Sequence, residues 1–377
     1  MTSLGFILVL VLAWAYLAGA TVAALGFARR QNVAAKDGPP ISVLKPLHGA
    51  EPGLYDNLAS FADQDYPRFE LVLGVRERDD SALPVARRLI AERPGRAIEL
   101  VVDPHAAGSN LKVANLENMM PAARHDLIVV ADSDMRVTRD YLASVAATLA
   151  NPRTGIVTCL YKATPIGGLW SRLAALHVNF GFLPSALVGD ALGIGGGCFG
   201  ATLALRRSVL QRVGGFGRVR DELADDHRLG AAVRELGLDC VLSPYLVDNR
   251  VSEPSFRKLW RHELRWARTS RTMAPVGFAG SIVTHTVAVM ALCAALSGSA
   301  AAWGIVALSL ALRWLSATTI ARALNLPRTG LWLLPLRDAL SFAVFIGSFC
   351  GRSVLWRDQL FQVEPSGRMR LEGDKLA

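Results

Sequence analysis

Two aspartates follow a short apolar segment in the first half of the chain. Residues 127–131 (LIVVA) are rich in Val and Ile and too short for a helix, so they predict a buried strand, and Asp132 and Asp134 come directly after it. In an α/β sheet, ligands bind beyond the carboxyl ends of the strands. Two carboxylates there can share one divalent cation, which can neutralise a diphosphate. For this pair alone, an Asp-rich turn that caps the next helix is the competing interpretation.

The rest of the first half alternates short apolar segments with amphipathic ones. The other predicted strands cover residues 41–44, 69–75 and 98–102, with helices at residues 54–62 and from 81 to about 91. This alternation predicts an α/β fold, namely a doubly wound, mainly parallel sheet. The aspartates that follow its strands, and that we therefore expect at one edge, are Asp79, Asp80, Asp132 and Asp134.

A third acidic pair lies further along the chain. Asp225 and Asp226, within ELADDHRL, fall where a helix is predicted to begin. Acidic residues in a first helical turn interact favourably with the helix dipole, so a structural role competes with a chemical one. The Gly-rich segment at residues 193–200 (GIGGGCFG) lacks the strand-then-helix context and the Lys of a P-loop, and we interpret it as a close-approach or mobile substrate loop.

Several segments are apolar enough to cross a membrane. Residues 5–27 carry no charge over a length that spans a bilayer, and residues 276–296 form a second such run. Two further runs cover residues 300–321 and 330–351. The charges that interrupt them are Arg313, Arg337 and Asp338. Basic residues follow the first run and precede the second, which predicts an uncleaved N-terminal anchor and a cytoplasmic location for the part between them.

The basic residues of the second half cluster beside these apolar runs. Residues 255–273 predict a basic amphipathic helix of the kind that lies in a membrane interface. The net charge of +9 is therefore attributed to anionic lipid headgroups and not to nucleic acid. The five cysteines are scattered without a CxxC pair, so neither a zinc site nor a disulfide framework is predicted.

Five segments, in this order, resemble one family of enzymes. They are SVLKPLHGAEPGLYDNLASFADQDYP, RDDSA, ADSDMRV, LADDHRLG and HELRW. Together they are similar to the membrane-bound GT-A glycosyltransferases. The most similar group is the ceramide glucosyltransferase family (glycosyltransferase family 21, family 2-like), in particular its bacterial members associated with hopanoid biosynthesis. The resemblance covers residues 41–273, and His262 departs from the Gln or Arg that usually opens the family's (Q/R)xxRW block.

This resemblance implies an inverting transfer of glucose or N-acetylglucosamine from a UDP-sugar to a hydroxyl group of a membrane lipid, a hopanoid polyol or ceramide. The enzyme would lie in a bacterial inner membrane with its catalytic domain in the cytoplasm. Asp132 and Asp134 would bind Mg²⁺ or Mn²⁺, and Asp226 would act as the base with Asp225 beside it. The residues expected to bind the donor are Asp79 (slightly favoured over Asp80), Asp80, Asp132, Lys112, Asn115, His262, Arg265 and Trp266.

The expected organisation has five parts: an N-terminal anchor (1–28), a GT-A catalytic domain (38–250), an interfacial helix (251–275), two or three membrane segments (276–352) and a tail (353–377).

Three other functions stay open. They are a processive polysaccharide synthase-like transferase, a metal-dependent phosphatase or nucleotidyltransferase, and a non-catalytic membrane scaffold or transporter. Charges inside the apolar runs would support the scaffold or transporter, unless they form ion pairs. The sequence leaves the acceptor lipid, the sugar and the oligomeric state open.

Overall fold

The computed structural model divides the chain into two compact units. The first, here called the membrane unit, comprises residues 1–30, 162–194 and 251–377, and the second, the sheet unit, comprises residues 31–161 and 195–250. The structure describes residues 3–32, 38–194, 197–351, 353–356, 359–364 and 367–371. Two residues of the Gly-rich segment, 195 and 196, and the end of the predicted tail, 372–377, lie outside the described residues.

The strands have the following bounds in chain order. They are β1 Ile41–Pro46, β2 Phe69–Val75, β3 Ile98–Val102, β4 Leu127–Val130, β5 Met135–Arg136, β6 Thr154–Thr158, β7 Tyr161–Pro165, β8 Leu203–Arg206, β9 Asp239–Leu242, β10 Val247–Val251, β11 Ser353–Trp356, β12 Gln359–Val363 and β13 Met369–Leu371. The strands predicted at residues 69–75 and 98–102 have those bounds in the structure.

The helices alternate with the strands over the first half and dominate the second. They are α1 Ser3–Ala28, α2 Leu54–Ala62, α3 Ala82–Glu92, α4 Leu111–Met119, α5 Tyr141–Leu149, α6 Leu169–His177, α7 Leu183–Ala191, α8 Arg207–Arg212, α9 Asp225–Glu235, α10 Phe256–Met273, α11 Pro275–Gly280, α12 Thr286–Ser297, α13 Ala300–Ala323 and α14 Leu334–Ser348. A π-helical turn covers Val178–Phe182, and short 3₁₀ turns cover Phe216–Val219, Ser281–Thr284 and Leu331–Leu333.

The sheet unit contains a seven-stranded sheet in the order β3-β2-β1-β4-β8-β6-β9. Strand β1 pairs in parallel with β2 and β4, β2 pairs in parallel with β3, and β6 pairs in parallel with β9. Strand β8 runs antiparallel to both β4 and β6. The predicted α/β fold with a mainly parallel sheet is confirmed, and β8 is its antiparallel member.

Both faces of this sheet are buried, which explains the near-continuous apolar segments in the sequence. In β4, Leu127 and Val129 belong to one hydrophobic core, whereas Ile128 and Val130 belong to another. Successive side chains of a strand point to opposite faces, so each core lies on one face of the sheet. Two charged side chains of these strands are buried as well, Lys45 in β1 and Glu70 in β2.

Three helical segments of the membrane unit are long and apolar enough to cross a membrane. They cover Ile7–Ala28, Ala300–Ala323 and Leu331–Ser348. The apolar run predicted at residues 276–296 is broken, because Pro275–Thr284 and Thr286–Ser297 meet at a bend of 73°. The described residues therefore hold one N-terminal span and two C-terminal ones, or three C-terminal ones if the bent pair forms a single span.

The charges inside the apolar runs are paired within the membrane unit. Arg313 donates two hydrogen bonds to the carboxylate of Asp338, each at 3.0 Å. Arg337 donates two to the carboxylate of Glu263, at 2.6 and 2.8 Å, and a further one to the carbonyl of Leu173 at 3.3 Å. The side chains of Arg337 and Glu263 are 1% and 3% exposed. Two parallel hydrogen bonds satisfy each carboxylate, so neither charge is left alone in an apolar environment.

Helix α10 carries the basic, amphipathic sequence predicted for a membrane interface. Two of its basic side chains have backbone partners. Arg268 donates to the carbonyls of Cys350 and Ser353, and Arg271 donates to the carbonyl of Gly351 at 2.8 Å. These arginines therefore hold the segment that follows α14, a structural role that the sequence did not predict.

Candidate active site

Helix α4 and strand β4 bring a lysine and an aspartate together. Asn110 caps α4, because its side-chain oxygen accepts hydrogen bonds from the backbone N–H groups of Lys112 and Val113 at 3.0 and 3.1 Å. This cap fixes the first helical turn and hence the position of Lys112. The Nζ atom of Lys112 lies 2.7 Å from Oδ1 of Asp132, and its side chain is 14% exposed. The Lys112 side chain is therefore largely shielded from water, whereas the Asp132 side chain is 33% exposed.

The first turn of α9 adds two more carboxylates. Asp225 Oδ2 lies 3.7 Å from Nζ of Lys112. The carboxylate of Asp226 accepts hydrogen bonds from the backbone N–H groups of Gly200 and His227, both at 2.7 Å. These two backbone donors hold the Asp226 side chain in one orientation.

Gly200, the last residue of the Gly-rich segment, lies between the predicted site residues. A β-carbon at this position would be 3.2 Å from Oδ2 of Asp226, 3.5 Å from Nζ of Lys112 and 3.6 Å from Oδ2 of Asp132. The structure thus brings three predicted site residues around one glycine. The absence of a side chain at Gly200 allows the backbone to approach them, as expected for a close-approach loop.

The electrostatics of this group depend on burial and on like charges. Burial and then the neighbouring Asp225 raise the pKa of Asp226 to about 6. Burial lowers the pKa of Lys112, but Asp132, Asp225 and Asp226 outweigh it and leave the pKa above its usual value. Lys112 therefore stays charged, while Asp226 is a stronger base than an ordinary aspartate and is still mostly ionised at neutral pH.

Two residues near Asp132 were missed by the sequence reasoning. Lys45 donates a hydrogen bond to the backbone carbonyl of Asp132, and burial lowers the pKa of Lys45 to about 7 against the opposing effect of Asp134 and Asp132. Partial desolvation and then the charges of Asp134 and Asp132 raise the pKa of Glu51, although this residue is exposed at the surface. The signal for Lys45 was present in the sequence, because a lysine within a buried strand requires a polar partner.

The carboxylates of Glu51, Asp132 and Asp134 provide the oxygen ligands that a hard divalent cation requires. Burial and then Asp132 raise the pKa of Asp134, although Asn249 donates a hydrogen bond to its Oδ2 at 2.7 Å. Carboxylates that raise one another's pKa are stabilised when a cation neutralises them. The chemistry of these carboxylates therefore suits a hard cation such as Mg²⁺ or Mn²⁺, and their role as its ligands stays a prediction.

The aspartates after β2 have a different environment. Asp80 accepts hydrogen bonds from the backbone N–H groups of Gly49, at 2.9 and 3.1 Å, and of Ala82 at 2.7 Å. Its side chain thus fixes the loop after β1 and the start of α3, whereas Asp79 is exposed. His48, Glu77 and Asp80 also place their ligand atoms within 4.8 Å of one another, a group that is able to hold a metal ion.

Asn115 lies in the interior and not at the surface of the site. It is 1% exposed, and its side-chain amide donates a hydrogen bond to the carbonyl of Gly74 at 2.9 Å. A β-carbon at Gly74 would approach the Asn115 side-chain oxygen to 2.6 Å, so α4 and β2 are closely packed here. These contacts give Asn115 a structural role, and its predicted role in donor binding stays a prediction.

The remaining predicted donor residues lie in the membrane unit. His262, Arg265 and Trp266 occupy consecutive turns of α10. Nδ1 of His262 lies 2.7 Å from Oε1 of Glu253, and its ring packs edge-on against Trp266 with the centroids 4.4 Å apart. His262, where HELRW departs from the family pattern, therefore contacts Glu253 and Trp266, which both belong to the membrane unit.

The fold of the chain is that of a GT-A-like glycosyltransferase. It is similar to a solved mannosyltransferase from Pyrobaculum calidifontis in complex with GDP-Man and Mn²⁺, with a TM-score of 0.56 and 19% sequence identity. That similarity covers 90% of this chain and 99% of the other. At this level of identity the likeness is one of fold.

The chain belongs to glycosyl transferase family 21, whose sequence profile matches residues 5–369. It is 25% identical over 238 residues to ceramide glucosyltransferase 1 of Caenorhabditis elegans, which covers 63% of this chain and 51% of the worm protein. It is 32% identical over 101 residues to the ceramide glucosyltransferase of Komagataella phaffii, which covers 26% of this chain and 20% of the yeast protein. The chain thus spans about half the length of the worm relative and a fifth of the yeast one.

Proposed function

We propose that the chain is an inverting, metal-dependent glycosyltransferase. It moves glucose or N-acetylglucosamine from a UDP-sugar to a hydroxyl group of a membrane lipid. The observation that carries this proposal is the convergence of Lys112, Asp132 and Asp226 on Gly200. Membership of glycosyl transferase family 21 and the similarity to ceramide glucosyltransferases support it. The membrane spans support a lipid acceptor.

Asp226 is proposed as the catalytic base. In a single displacement, the lipid oxygen forms a bond to C1 of the sugar as the bond from C1 to the UDP oxygen breaks, and the hydroxyl proton passes to Asp226. A base is most effective when its pKa lies near the working pH. The raised pKa of Asp226, about 6, satisfies this requirement, and the N–H groups of Gly200 and His227 hold the carboxylate in place.

Asp132 and Asp134 are proposed to hold Mg²⁺ or Mn²⁺, with Glu51 beside them. The bound cation would neutralise the leaving diphosphate. Lys112 contributes a second, permanent positive charge, since its pKa is raised. Asp79 and Asp80 are proposed at the uridine end of the donor, and Arg265 and Trp266 at the diphosphate. Arg suits that role because its planar donors bind phosphate oxygens in pairs.

The proposed setting is a bacterial inner membrane with the sheet unit in the cytoplasm. Basic residues that follow the first apolar run and precede the second support this orientation. The proposed acceptor is a hopanoid polyol or a ceramide. Both present a hydroxyl group at the membrane surface.

The transporter or scaffold interpretation loses its support. That interpretation depended on charges inside the apolar runs, which are often functional. Arg313 pairs with Asp338, and Arg337 pairs with Glu263, each through two hydrogen bonds. Helix packing therefore accounts for these charges without a transport pathway.

A transfer assay with the full chain in detergent tests the proposal. The reaction contains Mg²⁺ or Mn²⁺, labelled UDP-glucose or UDP-N-acetylglucosamine, and ceramide, a hopanoid polyol or diacylglycerol. Label should move into an organic-extractable product, and EDTA should prevent this. The matched control is Asp226→Asn, which keeps the shape of the site but removes the base. Folded protein that uses neither donor with any acceptor would refute the proposal.

A further inference from the structure

Glu253 is a carboxylate held against the one position where the chain departs from its family's (Q/R)xxRW pattern. Its Oε1 lies 2.7 Å from Nδ1 of His262, and the two side chains are 10% and 38% exposed. Ser171 anchors the backbone of Glu253 twice: its hydroxyl oxygen accepts a hydrogen bond from the Glu253 N–H at 2.8 Å, and it lies 3.3 Å from the Glu253 carbonyl oxygen. Glu253 is therefore a largely buried, fixed partner for a more exposed imidazole.

This contact decides which ring nitrogen of His262 carries the proton. An ionised carboxylate is an acceptor and not a donor, so Nδ1 must carry the hydrogen that joins the two side chains. In the neutral imidazole, Nε2 is then left with a lone pair and accepts hydrogen bonds. Trp266, one turn further along α10, packs edge-on against the ring at an interplanar angle of 65° and restricts its rotation.

The consequence concerns the chemistry of the ligand. A Gln at this position would offer both a donor and an acceptor, and an Arg would offer donors alone. When its ring is neutral, His262 held by Glu253 offers no second donor, so this form does not suit a phosphate oxygen, which accepts hydrogen bonds. It suits a hydroxyl group, which donates one.

We propose that Glu253 is a positioning residue that fixes the tautomer of His262, so that Nε2 accepts a hydrogen bond from a substrate hydroxyl. The hydroxyl belongs either to the sugar of the donor or to the lipid acceptor. This inference rests on the proposed function for the identity of the substrate, but the tautomer itself does not depend on turnover.

The first test is spectroscopic and requires no activity. The full chain, labelled with ¹⁵N-histidine, is studied in detergent micelles at pH 8, where an ordinary imidazole is neutral. Long-range ¹H–¹⁵N correlations give the tautomer of each of the seven histidines, and the signals that disappear in His262→Gln identify His262. The wild type should show the Nδ1–H form. Glu253→Ala keeps the backbone contacts with Ser171 and should shift His262 towards the Nε2–H form.

The second test is kinetic and separates the two sources of the hydroxyl. Loss of one hydrogen bond should raise one KM by about fivefold. A change in the KM for UDP-glucose or UDP-N-acetylglucosamine assigns the hydroxyl to the sugar, and a change in the KM for the lipid assigns it to the acceptor. Glu253→Ala should have this effect in the wild-type background and little further effect in His262→Gln.

Several outcomes would overturn the inference. An Nε2–H tautomer in the wild type, or an unchanged tautomer in Glu253→Ala, contradicts the positioning role. So does a kinetic loss on Glu253→Ala that is equal in both backgrounds. If the wild type transfers no sugar at all, the proposed function fails, while the spectroscopic result still decides the role of Glu253.

Discussion

The sheet unit and the membrane unit differ in how their charged side chains are arranged. In the membrane unit, Arg337 and Glu263 are almost completely buried, and each satisfies the other through two hydrogen bonds. At the edge of the sheet, carboxylates crowd together, and burial and mutual repulsion raise the pKa of Asp226 and Asp134. The first arrangement is what stability requires. The second is costly without a ligand, which is the physical reason to regard it as the functional region.

The largest effect expected from this comparison is on turnover. Asp226→Asn should lower kcat by about 10²- to 10⁴-fold, the range for loss of a general base. Donor binding should persist, because the asparagine side chain keeps an oxygen that can accept a hydrogen bond from Gly200. Single-turnover transfer and equilibrium binding of UDP-sugar measure the two quantities separately. Near wild-type turnover would remove Asp226 from the role of base.

The next largest effect is expected on the stability of the membrane unit. Glu263→Leu leaves the charge of Arg337 buried without an opposite charge beside it, which should lower the free energy of unfolding by about 3–5 kcal/mol. Adding Arg337→Met removes both charges and should recover most of that loss. Thermal unfolding in one detergent measures both variants, with Arg328→Met, at an exposed position, as the control. If the double variant is no more stable than Glu263→Leu alone, the loss of stability is not caused by the broken ion pair.

The sequence was sufficient for the main elements of both units but not for the contacts between side chains that are distant in the chain. Alternating apolar segments and the family motifs predicted the sheet, its acidic edge and the spans. They did not reveal that Glu263 is the partner of Arg337, because 74 residues separate them in the chain. The basic residues of the amphipathic helix α10 predicted contact with lipid headgroups, but Arg268 and Arg271 donate hydrogen bonds to backbone carbonyls. Glu51 is an exposed residue, and no local pattern marked it as a neighbour of Asp132 and Asp134.

The pH dependence of transfer tests the crowding at the sheet edge. Because the pKa of Asp226 is raised to about 6, the carboxylate is ionised above that pH and takes up a proton below it. A protonated carboxyl cannot act as the base, so kcat should fall about tenfold for each unit of pH below 6. The rate should be nearly constant between about pH 7 and 8. An inflection near pH 4, the usual value for aspartate, would mean that the crowding is relieved in the complex with substrate.

The smallest effect is expected for a substitution at Gly200, where the backbone of the Gly-rich segment lies close to Asp226, Lys112 and Asp132. A β-carbon there would lie 3.2 Å from Asp226 Oδ2, tighter than ordinary van der Waals contact, so the carboxylate or the loop must shift by a few tenths of an ångström. Overpacking of this kind costs about 1 kcal/mol at its low end, or about a fivefold loss in kcat/KM for Gly200→Ala. Gly95→Ala is the matched control, because a β-carbon at Gly95 meets nothing within 4 Å. Equal activity of the two variants would show that the loop moves away from Asp226 during transfer, and the close approach would then belong to the resting enzyme alone.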